Sequence, residues 1–199
     1  MLHKPLHSIY HPLQNLEASG TEVALTQSMT KKANTQVTIS VEAQRTLFAD
    51  IYQRPAIEAC GVLLGTIDEQ GNWHVEQAYP LRNIFSSPVY FEFDPEELLM
   101  VELTYPEQII GVYHSHPTGF PRASSTDRDN MQRVNQEQQI PWIWLIVSGP
   151  FTQESTQQAD GLIPATSMIA YHHYVQEGLR KVPIQLEAEE FDKESGLSL

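Results

Sequence analysis

The run Gly111-Val-Tyr-His-Ser-His-Pro constrains this chain more than any other segment. Ile109 to Tyr113 is apolar enough for a buried, central strand, and Pro117 ends it, because proline brings no N–H to a ladder. Side chains alternate along a strand, so His114 and His116 leave on the same face. Seven residues then lead to Ser124, and two more to Asp127. Two neutral imidazole nitrogens and one carboxylate oxygen make a three-ligand set for a catalytic zinc, with the fourth tetrahedral position open to water. The loop Thr118–Ala123 has to fold back for Asp127 to reach the same ion. A carboxylate in a first helical turn is favoured there by the helix dipole. Such a site keeps about one positive charge and can lower the pKa of water from about 16 to about 7.

Composition narrows the alternatives. At 199 residues and 41% apolar, the chain can bury one sizeable core and still carry tails. Its 12 basic and 25 acidic side chains give a formal charge of -13, whereas a nucleic-acid binder presents a basic face. Glu187, Glu189, Glu190, Asp192 and Glu194 crowd the end, so 187–199 reads as an acidic C-terminal tail. Cys60 stands alone, which rules out an internal disulfide and a multi-cysteine zinc cluster. Met1 to Leu13 lacks the apolar stretch of a signal peptide, and nothing later approaches a membrane span. The expectation is a cytoplasmic protein without membrane or nucleic-acid partners.

Residues 1–36 are polar and aperiodic, which predicts a flexible N-terminal extension. Thr38-Ile-Ser-Val starts a short extended piece. Ser40 caps a helix to about Tyr52, with Ala43, Leu47, Phe48 and Ile51 on one face. Ala59 to Ile67 reads as a buried strand, the turn Asp68–Asn72 closes it, and Trp73 to Tyr79 alternates as its hairpin partner. Val89 to Phe93 reads as a further strand. Asp94 caps a helix with Pro95 at its first position, running to about Leu103. Beyond the histidines, Ser125 or Thr126 opens a helix to about Gln138, and Trp142 to Val147 is a buried strand. Residues 149–166 form a polar loop, and Met168 to Val175 and Lys181 to Leu186 are the last expected strands. Residues 37–186 thus read as one mixed α/β domain.

These residues resemble the JAMM motif, also called MPN+, of zinc metallopeptidases: an upstream glutamate, then H-[S/T]-H-P, then a serine and an aspartate at the offsets found here. Glu58-Ala-Cys-Gly-Val-Leu-Leu-Gly is similar to the family's glutamate-bearing segment, and Asn83 to Leu98 resembles its compact prokaryotic members. The similarity covers roughly residues 37–175. It implies a single MPN/JAB domain, with a mixed, curved β-sheet flanked by helices in a cytidine-deaminase-like layout. It implies one Zn²⁺ on His114, His116 and Asp127. Glu58 is then the general base that deprotonates the zinc-bound water and later protonates the leaving amine. Ser124 hydrogen-bonds near the tetrahedral intermediate and helps stabilise its oxyanion. The implied activity is cleavage after the C-terminal Gly-Gly of a ubiquitin-like or sulfur-carrier protein. A tail of that kind can bind by adding a strand to a sheet edge, with loops 80–90 and 149–166 as the expected flanks.

Other readings compete for the same residues. A catalytically silent scaffold of this family has usually lost ligands, and here none is missing. A hydrolase of another amide, such as a peptidoglycan peptide, keeps the motif but calls for export. A zinc deaminase needs paired cysteines, which one cysteine cannot supply. Cys60 reads as a small buried side chain. His3, His7 and His11 recur every four residues, yet Pro5 and Pro12 break any helix there. His172 and His173 point to opposite faces of a strand, so one of them is expected in the core. His74 reads as surface, Trp142 and Trp144 as core, and Asp129 points away from Asp127 on its helix. Glu76 and Glu92 lie on expected strands but lack the motif context of Glu58.

Overall fold

The computed structural model describes residues 35–152 and 161–189. Its strands are β1 (Val37–Ile39), β2 (Cys60–Ile67), β3 (Trp73–Leu81), β4 (Ile109–His116), β5 (Ile143–Ser148), β6 (Met168–Tyr174), β7 (Gly178–Val182) and β8 (Ile184–Leu186). They form one mixed sheet in the order β7-β6-β5-β4-β2-β3-β1-β8. Three α-helices flank it: α1 (Val41–Gln53), α2 (Pro95–Thr104) and α3 (Ser125–Gln132). No helix among the described residues is long and apolar enough to cross a membrane.

The histidine strand sits in the middle of this sheet. β4 runs antiparallel to β2, with His114 opposite Cys60, and parallel to β5, with His116 opposite Ser148. A parallel neighbour demands a crossover connection. Here the crossover contains α3, which brings Asp127 back towards the end of β4. The sheet also curves. β7 and β8 stand at opposite ends of the strand order, yet only Pro183 separates them in sequence.

Apolar residues divide between the two faces. Ala43, Leu47 and Ile51 of α1 pack with Leu63, Val75 and Tyr113 on one side. Leu98 and Val101 of α2 and Met131 of α3 pack with Cys60, Val62, Val112 and Ile146 on the other. Full burial of a side chain such as Leu47 contributes about 2 kcal/mol. A register shift opposite Leu63/Leu64 turns both Ile109 and Val112 towards the second face. His114, two residues past Val112, follows it onto the side of α2 and α3. Tyr113 points the other way, and its hydroxyl donates to Asp50 (2.8 Å), which also pairs with Arg54.

The helix starts follow sequence rules. Ser40 accepts from Ala43 N, and Asp94 accepts from the amides of Glu96 and Glu97. Some expected elements differ. Val89 to Phe93 is not a strand, and only Phe93 makes an isolated bridge, to Asn83. The backbone there is taken instead by the Asn83 side chain, which donates to Tyr90 O and accepts from Glu92 N. The helix expected to reach Gln138 is α-helical only to Gln132. A π turn over Arg133–Glu137 follows, where Gln138 N bonds Arg133 O and the Asn135 amide binds Ile140 O and Trp142 O. The expected strand Lys181–Leu186 is divided by Pro183 between β7 and β8. Trp142 is buried just outside β5. The expected extension 1–36 lies outside the described residues except for Thr35 and Gln36, as does the tail beyond Glu189.

Of the adjacent histidines, His172 is the core residue. Its Nδ1–H donates to Trp142 O (3.0 Å), and its ring packs against Trp73 and Tyr174. Burial lowers its pKa to about 4, His173 pushes the same way, and the Trp142 carbonyl opposes them. The unfolded chain takes up this proton near pH 6.5 and the folded protein only near 4, so stability is lost as pH falls through that window. The loss expected by pH 4 is about 2–3 kcal/mol. His172→Gln should flatten the fall in melting temperature between those pH values. An unchanged acid dependence would refute this assignment.

Candidate metal centre

At the end of β4 the Nε2 atoms of His114 and His116 stand 3.0 Å apart. Asp127 Oδ1 lies 3.4 Å from His114 Nε2, and Asp127 Oδ2 lies 3.5 Å from His116 Nε2. All three residues are buried, and their ligand atoms lie within 4.8 Å of one another, a group that can hold a metal ion. Glu58, also buried, approaches His116 Nε2 to 3.9 Å with Oε1.

Local folding builds this arrangement. After Pro117 the chain turns at Gly119, whose φ of +81° suits glycine, and the amides of Gly119 and Gly149 both bond His116 O at 3.0 Å. The loop returns to Ser124, the N-cap of α3. Ser124 Oγ accepts from Asp127 N (3.1 Å), while Ser124 N donates to Asp127 Oδ2 (2.7 Å). This is a capping box with aspartate in the third helical position. One carboxylate therefore both closes a helix start and faces two imidazoles.

The tautomer of His116 follows from its partner. A carbonyl only accepts, so Nδ1–H donates to Phe120 O (2.8 Å) and the neutral ring keeps a lone pair on Nε2. His114 is stacked by Phe91 at 4.6 Å, and its Nδ1 has no hydrogen-bond partner among the described residues.

Electrostatics separate the four groups. Burial lowers the His114 pKa, partly opposed by Asp127, so this ring stays neutral. Burial also pulls His116 down, but Asp127, the Phe120 carbonyl and Glu58 together raise it. For Asp127 the burial penalty is outweighed by the two imidazoles beside it and by the hydrogen bond from Ser124 N–H, which hold it well below the usual carboxylate range. Glu58 is raised to about 7, mainly by burial, with His116 opposing and Asp127 reinforcing.

A cleft of about 320 Å³ opens over these groups. Glu58, His116, Ser124 and Asp127 line it, together with Pro88 to Phe91, Thr118, Phe120, Thr126 and Asn130. His114 lies behind them. Of the loops expected to flank the site, the end of 80–90 does line the cleft. None of the described residues of 149–166 does. Cys60 is fully buried, with its thiol pushed up to about 12 by burial, and stays outside the metal group. His74 pairs with Asp68, Asp129 is exposed, and Glu76 and Glu92 lie outside the cleft. His3, His7 and His11 are outside the described residues. Sequence reasoning missed the rings of Phe91 and Phe120. It also gave Ser115 no task, although its Oγ accepts from Ala59 N (2.9 Å) beside Glu58. The signal for Ser115 was its burial in the central strand.

Fold and centre define an α/β domain whose central strand and crossover helix offer a two-histidine, one-aspartate cation site. A family model described as prokaryotic homologs of the JAB domain matches residues 40–160, and the chain belongs to that family. Among curated proteins it is similar to a desampylase of Haloferax volcanii, 39% identical over 79 residues, which is 38% of this chain and 55% of that one. It is also similar to a desampylase of Pyrococcus furiosus, 37% identical over 97 residues, covering 47% and 61%. The chain thus spans a little over half the length of these relatives. The solution structure of protein DSY2949 from Desulfitobacterium hafniense shares the fold, with a TM-score of 0.57 and 25% identity over 77% of this chain and 94% of that one.

Proposed function

We propose that this protein is a zinc-dependent peptidase or isopeptidase, active in the cytoplasm, that hydrolyses the amide after the C-terminal Gly-Gly of a ubiquitin-like or sulfur-carrier protein. The observation that carries this reading is a buried carboxylate, Glu58, 3.9 Å from His116 beside a group able to hold a cation. Similarity to two proteins named desampylase supports the substrate class. Residues 37–186 are the catalytic unit on this reading.

The donor set suits zinc. Ligand atoms about 2.0–2.1 Å from a tetrahedral zinc stand about 3.3–3.4 Å from each other. Here the two Nε2 atoms stand 3.0 Å apart, each has one of the two Asp127 oxygens at 3.4 or 3.5 Å, and one ligand atom from each residue lies within 4.8 Å of the others. When bound, Zn²⁺ supplies a Lewis acid for the scissile carbonyl and lowers the pKa of water. His114 and His116 would hold it through neutral Nε2 atoms, and Asp127 through its carboxylate. Glu58 takes a proton from the attacking water and returns it to the leaving nitrogen. A carboxyl raised to about 7 by burial suits both transfers. Ser124 Oγ already accepts from Asp127 N, which leaves its O–H to donate to the developing oxyanion. Val89, Phe91 and Phe120 supply apolar walls for an extended tail.

The test is incubation of the zinc-loaded full chain with ubiquitin-like proteins fused through their Gly-Gly ends, with and without a chelator. Expected is cleavage after the second glycine, abolished by chelator and restored by zinc. Chelator-insensitive cleavage would remove zinc from the reaction. Failure to cut any Gly-Gly fusion would point to a different amide.

A further inference from the structure

We propose that Asn83 is a positioning residue that ties Glu58 to the cleft wall, an inference that rests on the reading of Glu58 as proton carrier. Asn83 is only 3% exposed, and its side-chain amide uses both donors and accepts twice. Nδ2 donates to Glu58 O and to Tyr90 O, both at 3.0 Å. Oδ1 accepts from Phe85 N at 3.1 Å and Glu92 N at 3.3 Å. The loop answers from its other end, since Glu58 N donates to Ser87 O at 2.8 Å. Both backbone polar groups of Glu58 are thus bonded to the segment 83–93.

That segment also shapes the site. Tyr90 lines the cleft, and Phe91 beside it stacks on His114. One buried amide therefore sets the base and the wall relative to each other. Misplacement of a reacting group by about 1 Å can cost 10²-fold in rate, so a fixed separation has catalytic value. Only a carboxamide offers two donors and a two-fold acceptor in this space: aspartate lacks the donors, and leucine lacks both. Ser115 holds the other edge of the same Glu58–Ala59 peptide, through Ala59 N, so loss of Asn83 frees Glu58 on its loop side alone.

Asn83→Ala deletes all four bonds, and the near-isosteric Asn83→Asp replaces the doubly donating Nδ2 by an oxygen facing two carbonyls. Hydrogen exchange on the zinc-loaded full chain should show Glu58, Phe85 and Glu92 amides exchanging at least about tenfold faster together, a loss of protection equal to the net worth of one hydrogen bond. The amides of β4 and the bound zinc per chain should stay at wild-type values. Normalised to bound zinc, kcat should fall and KM rise, for a combined loss of about 10–100-fold in kcat/KM. A purely structural role predicts fewer zinc-loaded molecules with unchanged KM and unchanged kcat per zinc. Values within twofold of wild type in both variants would overturn the proposal, as would faster exchange over 85–92 with Glu58 N–H still protected. If the wild-type protein cuts no Gly-Gly fusion, the isopeptidase reading fails by itself. The exchange measurement then still decides whether Asn83 tethers Glu58.

Discussion

Asp127→Ala is expected to abolish zinc binding and hydrolysis together, and to cost the fold about 1 kcal/mol besides. The two losses have separate origins in one carboxylate. As a ligand, Asp127 brings the negative charge that faces both imidazoles. As the third residue of α3, it accepts Ser124 N at 2.7 Å and completes the capping box. Asp127→Asn separates them. Its amide oxygen can still accept from Ser124 N, so the melting temperature should stay within a degree or two of wild type, for a change of well under 1 kcal/mol. Its loss of charge should still empty the site. Zinc per chain, measured by atomic spectroscopy beside a melting curve, reads both outcomes. Stoichiometric zinc in the alanine variant would strike Asp127 from the ligand set.

Glu58→Gln should behave in the opposite way. Glutamine fills the same volume, so the cleft and its three ligands remain, and zinc content should match wild type. What disappears is the proton carrier, and general acid–base help of this kind is worth about 10²–10⁴-fold in turnover. The expected signature is a collapse of kcat with KM nearly constant, since Glu58 acts on the reacting atoms more than on the bound tail. Turnover near the wild-type rate would assign the proton transfers to another group. Together the two variants sort the machinery: one loses metal and rate, the other rate alone.

The convergence at the end of β4 was legible because it rests on short-range rules. Strand alternation sends His114 and His116 to one face, and Pro117 ends the ladder, so their proximity needed no knowledge of the rest of the fold. Asp127 was legible through its spacing, and of the two helix starts expected, Ser125 and Thr126, the first is where α3 begins. The S-x-x-D from Ser124 to Asp127 is itself a capping signature. Val89 to Phe93 misled because its apolar alternation satisfies a strand template, while the side chain of Asn83, six to ten residues earlier in the sequence, takes the backbone groups a ladder would use. The division at Pro183 was invisible for a different reason. Whether a chain continues along one strand or crosses to the far edge depends on how far the sheet has curled, which is a property of all its strands.

The single-residue link at Pro183 has a consequence for self-association. Outer strands normally present rows of unpaired N–H and C=O groups, a template for another chain. Here β7 and β8, the outermost strands of the order, are only five and three residues long, and a proline sits between them. β3 beyond Val75 has no second strand beside it among the described residues, and there Pro80 withholds an N–H while Glu76 adds an exposed charge. Each place where a foreign strand could zip on is short, interrupted or charged. The curled sheet that holds the histidines is thereby protected from recruiting its own copies as extra strands.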